Sequence, residues 1–377
     1  MKIVFIVMRL GKDGLATNIR DLAQGMVERG HELHIITSGF KIKEASDNSF
    51  FDELKRTFQS LAIPIHYFKE PIGNPIKKGI ASFSSLFRIS SHLKKINPDV
   101  IHCHSPNLTF IPYLLGRKYV STVHADTIKP NMRYKHPTLL IAVSEGSKEF
   151  TKRVMGSPES SIRMVYHGIS ERFAILENKE NLESLKTEFK IPEDKFIIGV
   201  VGRITPQKGT DVLVEALGKF LPENILGQVH VVIVGDYQSK SQKEWLDKML
   251  LEYHLTNKIS VLGFRDPKPF YQLFDVFVLP SRSDTFGLVA VESMMSGCCT
   301  IRSNSNGAYD QINPGVDGLI FEMDNSQELA QHLENVFLDS SLRSKLGQNG
   351  KQKALINFTL TKMVDNTLEV YKELERM

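Results

Sequence analysis

A disulfide framework is the first thing this sequence lacks. Its three cysteines, Cys103, Cys298 and Cys299, include an adjacent pair, a pattern expected of a chain kept reduced in the cytoplasm. Long apolar runs are missing too. The apolar start at residues 2–8 leads straight into a polar segment and is too short for a signal peptide or a membrane span; no later stretch is long enough to span. No internal repeat or low-complexity tract breaks the chain. Gly-x-Gly-x-x-Gly is absent after both strands that lead into a glycine turn, at residues 11–14 and at Gly202. That removes the main support for nicotinamide chemistry. Zinc-finger spacing and an aromatic RNA-binding signature are also absent, so nucleic acid is not an expected partner.

What remains is an ordinary globular composition in an unusual arrangement. Hydrophobic residues make up 41% and charged residues 24% of 377, and this length predicts two domains rather than one core. The net charge of +4 conceals an asymmetry: residues 1–175 carry 25 Lys and Arg against 15 Asp and Glu, residues 176–377 carry 22 against 28. A basic first half suits an anionic partner, either an anionic membrane surface or a phosphate-bearing acceptor.

Apolar runs at 2–8, 32–37, 99–103, 120–123, 139–143 and 162–166 alternate with helical segments such as 17–29. The spacing is that of a parallel sheet in a doubly wound α/β domain. Between residues 39 and 95 two helices (47–60 and 81–95) are expected around an extended 63–68. The Pro71, Gly73, Pro75, Lys77 and Lys78 stretch reads as a surface excursion, either acceptor-facing or simply solvated. After a charged segment at 177–195 the alternation starts afresh with 196–202, 229–235, 259–262 and 276–279. The expected division is an N-terminal domain at 1–172, a linker at 173–195, a C-terminal domain at 196–355 and a final helix at 356–377 returning to the first domain. Two such domains would face a shared cleft at the carboxyl ends of their sheets.

Two turns carry most of the chemistry. Gly202-Arg-Ile-Thr-Pro-Gln-Lys-Gly209 puts Arg203 and Lys208 beside a helix start, where a pyrophosphate would find a bidentate fork, a point charge and backbone N–H groups. It is not a P-loop, because Gln207 stands where that motif needs Gly and Gly209 where it needs Ser or Thr. Residues 281–297 read as strand exit, polar turn and an apolar helix carrying Glu292 in its second turn. A carboxylate in a helix that should be buried needs a partner, and it points back toward the helix start. Asp284 is open to two readings, a helix N-cap or a ligand contact. His102, His104 and His124 lie at strand ends; His102 and His104 share a strand face and could suggest a metal, but no third ligand is in view beside that pair, so no metal is expected. Asp-x-Asp, the usual signature of a metal-held diphosphate, occurs nowhere.

Gly202-Arg203, Lys208-Gly209, Asp284-x7-Glu292 with Phe286-Gly287-Leu288-Val289 inside it, Asn306-Gly307-x-x-Asp310 and Gly315 to Phe321 together resemble the retaining sugar-nucleotide glycosyltransferases of family four, which have the GT-B fold of two Rossmann-like domains. Gly14, Arg29 to Glu32, the Asp99 to His104 segment, His124 and Val143-Ser144 fit in the first half. The resemblance implies that Arg203 and Lys208 hold the donor diphosphate and Glu292 the ribose. The turn from Asp284 through Phe286, Gly287, Leu288 and Val289 would hold sugar and phosphate, with His124 beside the sugar and Gly14 at the phosphates. Gly263, Phe264 and Arg265 would lie near the base. His124, Arg203, Lys208 and Asp284 would be the catalytic set. The implied activity is hexosyl transfer with retention, without metal or other cofactor, from a nucleoside diphosphate sugar, with UDP favoured, to a hydroxyl of a cell-envelope glycan or lipid-linked acceptor. The expected location is cytoplasmic, either free or peripheral at the inner face of the membrane. A sugar-nucleotide epimerase or hydrolase, or a non-catalytic binding subunit of a glycan assembly complex, are the alternatives. Departures from the family pattern are Asp284 in place of Glu, Gly297-Cys-Cys-Thr-Ile301, Asn306 and His167.

Overall fold

The computed structural model describes residues 1–40, 49–70, 74–125 and 134–377. The chain divides into two compact units, Met1–Gly168 with Leu360–Met377, and Ile169–Thr359. Each is built on one sheet in which every pair of strands is parallel, as continuous apolar runs joined by helices require.

The first unit has β1 (Lys2–Val7), β2 (Glu32–Thr37), β3 (Ile65–Tyr67), β4 (Val100–Cys103), β5 (Val120–Val123), β6 (Leu139–Ala142) and β7 (Ile162–Met164) in the order β3-β2-β1-β4-β5-β6-β7. Alternation along β1 divides the core. Ile3, Phe5 and Val7 face the helices Gly14–Glu28 and Leu360–Arg376, while Val4 and Ile6 pack with Ile89 and Leu93 of the helix Pro75–Ile96. The closing helix is seated firmly: a Cβ at Gly25 would stand 2.4 Å from Val364 Cγ2.

The second unit has β8 (Phe196–Val201), β9 (Val229–Val234), β10 (Ile259–Val261), β11 (Val276–Leu279), β12 (Cys299–Ser303) and β13 (Leu319–Phe321) in the order β10-β9-β8-β11-β12-β13. Strand order reverses between β8 and β11, and between β1 and β4 in the first unit. At such a reversal the connecting helices leave toward opposite faces and open a crevice at the carboxyl ends. β8 also explains one glycine. A Cβ at Gly199 would fall 2.0 Å from the Phe274 ring, so that ring lies flat on the strand.

Four expectations need correction. The first helix begins at Gly14 rather than 17, because Asp13 accepts from Ala16 N at 3.1 Å and caps it there. Pro75, Lys77 and Lys78 are not a surface excursion but the first turn of the helix Pro75–Ile96, capped by Asn74; Pro71 and Gly73 lie outside the described residues. Proline at a first helical position costs no hydrogen bond and reads as loop only in isolation. The stretch expected as linker, 173–195, contains the helix Lys179–Phe189 and belongs to the second unit, and the returning segment starts at Leu360 rather than 356. Among the described residues no helix is long and apolar enough to cross a membrane.

Candidate functional site

β8 and β11 deliver two turns side by side at the reversal of the second sheet, residues 202–209 and 280–287. Their backbones touch. A Cβ at Gly209, where φ is +70°, would lie 1.8 Å from the Pro280 carbonyl oxygen, so only glycine permits this approach. Arg282 N donates to the Gln207 carbonyl at 2.9 Å, and the Arg282 guanidinium grips Asp211 through both amino groups, at 2.9 and 2.7 Å. Its Nε reaches Asp324 at 2.6 Å. Bidentate pairing of this kind fixes orientation as well as charge.

Across this join Lys208 Nζ donates to Asp284 Oδ2 at 2.7 Å, both side chains being largely sheltered (20% and 18% exposed). Asp284 is therefore not the helix N-cap. The helix Leu288–Ser296 is capped by Gly287 at φ +84°, which has no side chain to offer; Ala290 N–H donates to the Gly287 carbonyl at 3.0 Å, and no cap side chain covers the positive end of the helix. Arg203 stands exposed at the mouth of the first turn and makes no ion pair with a described side chain.

Glu292 meets the partner its burial calls for. Tyr271 is buried, and its hydroxyl lies 2.9 Å from Glu292 Oε2 and 3.1 Å from the Val289 carbonyl. Burial, with the Glu292 charge beside it, pushes the phenol well above its usual range, so it stays a donor. One carboxylate oxygen is thus held from the core side, on a half-buried residue one helical turn from the open helix end.

Other expected residues are dispersed. Gly263, at φ +77°, pairs with Gly235 past the end of β10, two strands from β8. Phe264 is about half exposed (49%), and the Arg265 guanidinium stacks 4.1 Å above the Phe189 ring. Gly14, the first residue of its helix, and His124, just past β5, are in the first unit. His124 Nε2 lies 3.0 Å from His104 Nδ1, and its ring stacks on His167 at 5.3 Å. His167 in turn bonds Asn18 at 2.9 Å, while His102 bonds Tyr371 and Thr122 at 2.6 and 2.7 Å. Burial holds the pKa of His102, His104 and His124 well below the usual histidine value and that of His167 at about 4, so all four are neutral at pH 7. No group of three metal-ligating side chains among the described residues is arranged to hold an ion.

Sequence reasoning passed over Tyr271, Arg282 and Arg302. Tyr271 carries no signal in the sequence. Arg302 does carry one, a lone cation closing an apolar strand, and it is fully buried behind the second turn.

The two doubly wound units are the architecture of the GT-B fold, and in the second a strand-order reversal brings cations beside a helix start. The chain belongs to the family-four glycosyltransferases. The model for "Glycosyltransferase Family 4" matches residues 12–173 and that for "Glycosyl transferases group 1" residues 182–353. Among curated relatives, an uncharacterised glycosyltransferase of Methanocaldococcus jannaschii is 26% identical over 95% of this chain and 94% of its own. The UDP-Gal:alpha-D-GlcNAc-diphosphoundecaprenol alpha-1,3-galactosyltransferase of Escherichia coli is 25% identical, covering 78% and 79%. The fold recurs in the crystal structure of Anabaena HepE in complex with UDP, with TM-score 0.81, 20% identity and 99% and 100% of the two chains covered. A glycosyltransferase of Rickettsia africae gives TM-score 0.85, 23% identity and coverage of 99% and 98%.

Proposed function

We propose that this chain transfers a hexosyl group, with retention at the anomeric carbon, from a UDP-sugar to a hydroxyl of a lipid-linked or other cell-envelope glycan. The observation that carries this reading is the Lys208–Asp284 pair at 2.7 Å, set beside the uncapped start of the helix Leu288–Ser296. The departing diphosphate gains negative charge as the glycosidic bond breaks. Lys208, Arg203 and the helix N–H groups are cations and dipoles already in place for that charge, which is where electrostatic stabilisation lowers a barrier. Lys208, paired with Asp284 beforehand, can shift its donors to the phosphate while Asp284 turns to a sugar hydroxyl. Glu292, steadied by Tyr271, accepts from the ribose hydroxyls.

With protein cations on the diphosphate, the transfer runs without a divalent metal. Attack on the face the leaving group vacates needs no carboxylate nucleophile. His124, neutral because it is buried among His104 and His167, is the side chain we assign to the transferred sugar, and Gly14 permits a close backbone approach to phosphate. A lipid-linked acceptor is supported by the helix Pro75–Ile96. It carries Lys77, Lys78, Arg88, Lys94 and Lys95 without one acidic residue and exposes Phe83 and Phe87 (67% and 69%) with their rings 5.9 Å apart. Basic side chains with exposed aromatics suit an anionic lipid surface, so the chain works at the inner face of the membrane. The Escherichia coli relative is named for transfer to alpha-D-GlcNAc-diphosphoundecaprenol, which is itself lipid-linked.

Turnover tests the reading. Incubation with UDP-, GDP-, ADP- and CMP-sugars, with and without lipid-linked acceptors and in EDTA, is expected to release UDP only with acceptor present and to give a product of unchanged anomeric configuration. A new nucleotide sugar formed without acceptor would establish an epimerase instead. Absence of any turnover would establish a binding subunit.

A further inference from the structure

Beneath the turn 281–287, β12 presents a guanidinium that the catalytic reading leaves unused. Arg302 is fully buried, where a charge is costly. Its Nη1 donates to the Phe286 carbonyl at 3.1 Å and to Gln311 Oε1; its Nη2 donates to Ser305 Oγ at 3.2 Å and to the Asn306 carbonyl at 3.3 Å. Gln311 also donates to the Phe286 carbonyl, at 2.7 Å. Nε, equally buried, has no partner among the described residues. Every bonded partner is neutral. The carboxylates that act on Arg302, Asp284 and Asp310, do so without contact, and Asp284 is already paired with Lys208. Burial lowers the guanidinium pKa to about 10, which leaves it charged at neutral pH.

The location of that charge is informative. A Cβ on Gly287 would stand 3.3 Å from Arg302 Nη1, so the cation lies directly under the residue that opens the helix Leu288–Ser296. The fork holds the Phe286 and Asn306 carbonyls inward. Carbonyl oxygens facing outward at this point would repel a phosphate; bonded inward to Arg302, they do not.

We propose that Arg302 is a positioning residue for the phosphate part of a nucleoside diphosphate. It holds the turn with its carbonyls averted and adds a buried charge, with no carboxylate in contact with it, to the positive end of the helix. This rests on the donor-site reading above, and the experiment separates the two. Because a buried charge is little screened, the effect belongs to the phosphates and not to the base or ribose.

Calorimetric affinities for UDP and for uridine are compared in wild type, Arg302→Met, Arg302→Gln and Arg302→Lys. Loss of the charge in the Met and Gln variants is expected to weaken UDP by about tenfold or more while leaving uridine unchanged, with Lys recovering most of the UDP affinity. A purely architectural Arg302 predicts that UDP and uridine weaken together, or that Lys is as poor as Gln; either result overturns the proposal. If the Met variant does not fold, the Gln and Lys variants decide it. Wild type that binds neither UDP, GDP nor ADP overturns the donor-site reading and this proposal with it. Wild-type binding left intact in Arg302→Gln overturns this proposal alone.

Discussion

Lys208 and Asp284 are 76 positions apart, yet 2.7 Å separates Nζ from Oδ2. Both side chains were legible as charges near a helix start, but their pairing depends on how two turns pack, which no local pattern encodes. The same holds for Glu292. Its need for a partner follows from the apolar helix around it, whereas Tyr271 as that partner follows only from the packing of the helix Lys268–Tyr271 against it. The capping reading of Asp284 failed because Gly287, three residues later, takes the cap position in a left-handed conformation. The histidines of the first unit give a measurable consequence. His167 has its pKa held at about 4 by burial, against about 6.5 in an unfolded chain. Between these values the unfolded chain binds more protons than the native one, so stability is full above pH 6.5 and is lost as pH falls toward 4. His167→Gln removes one such proton. Unfolding free energies from urea titrations between pH 7.5 and 4.5 are expected to fall less steeply in the variant, by on the order of 3 kcal/mol across the window; identical slopes would mean that His167 is not buried neutral.

Strands were the most legible elements, because parallel strands buried on both faces are uninterrupted apolar runs bounded by turn residues. Helix starts were less so: Asp13 and Asn74 cap their helices through side chains whose role depends on backbone shape. The misread start at Pro75 matters for function, because Lys77 and Lys78, expected in a surface excursion, join Arg88 and the Phe83–Phe87 pair on one element. If that helix meets lipid, Phe83→Ser/Phe87→Ser removes the aromatic anchor and Lys77→Gln/Arg88→Gln part of the charge. Each double variant is expected to lower cosedimentation with phosphatidylglycerol vesicles several-fold, with uncharged phosphatidylcholine vesicles binding little in any case. Equal binding by all variants would reassign the helix to another role.

For the whole molecule, two doubly wound units were legible from the alternation and its restart near residue 196, and each sheet supports that reading with its own strand-order reversal. The restart could not reveal that 173–195 belongs to the second unit or that only residues from Leu360 rejoin the first, since a polar helix such as Lys179–Phe189 has the composition of a linker. Neither could it reveal the buried Arg302, because a charge in a strand ordinarily argues for solvent. The charge asymmetry between halves is a long-range property that survives any error in element boundaries. It agrees with the anionic acceptor proposed for the first unit, while the residues of the proposed donor wall lie within the second.

That wall is the central claim, and one measurement reaches it directly. Binding of UDP, GDP, ADP and CMP is followed by thermal shift in the wild type and in the Lys208→Ala and Glu292→Ala variants. The account predicts that UDP stabilises the wild type and that each substitution weakens binding by about tenfold or more, Lys208→Ala through the phosphates and Glu292→Ala through the ribose. No stabilisation by any nucleotide, or variants that respond as the wild type does, would contradict it.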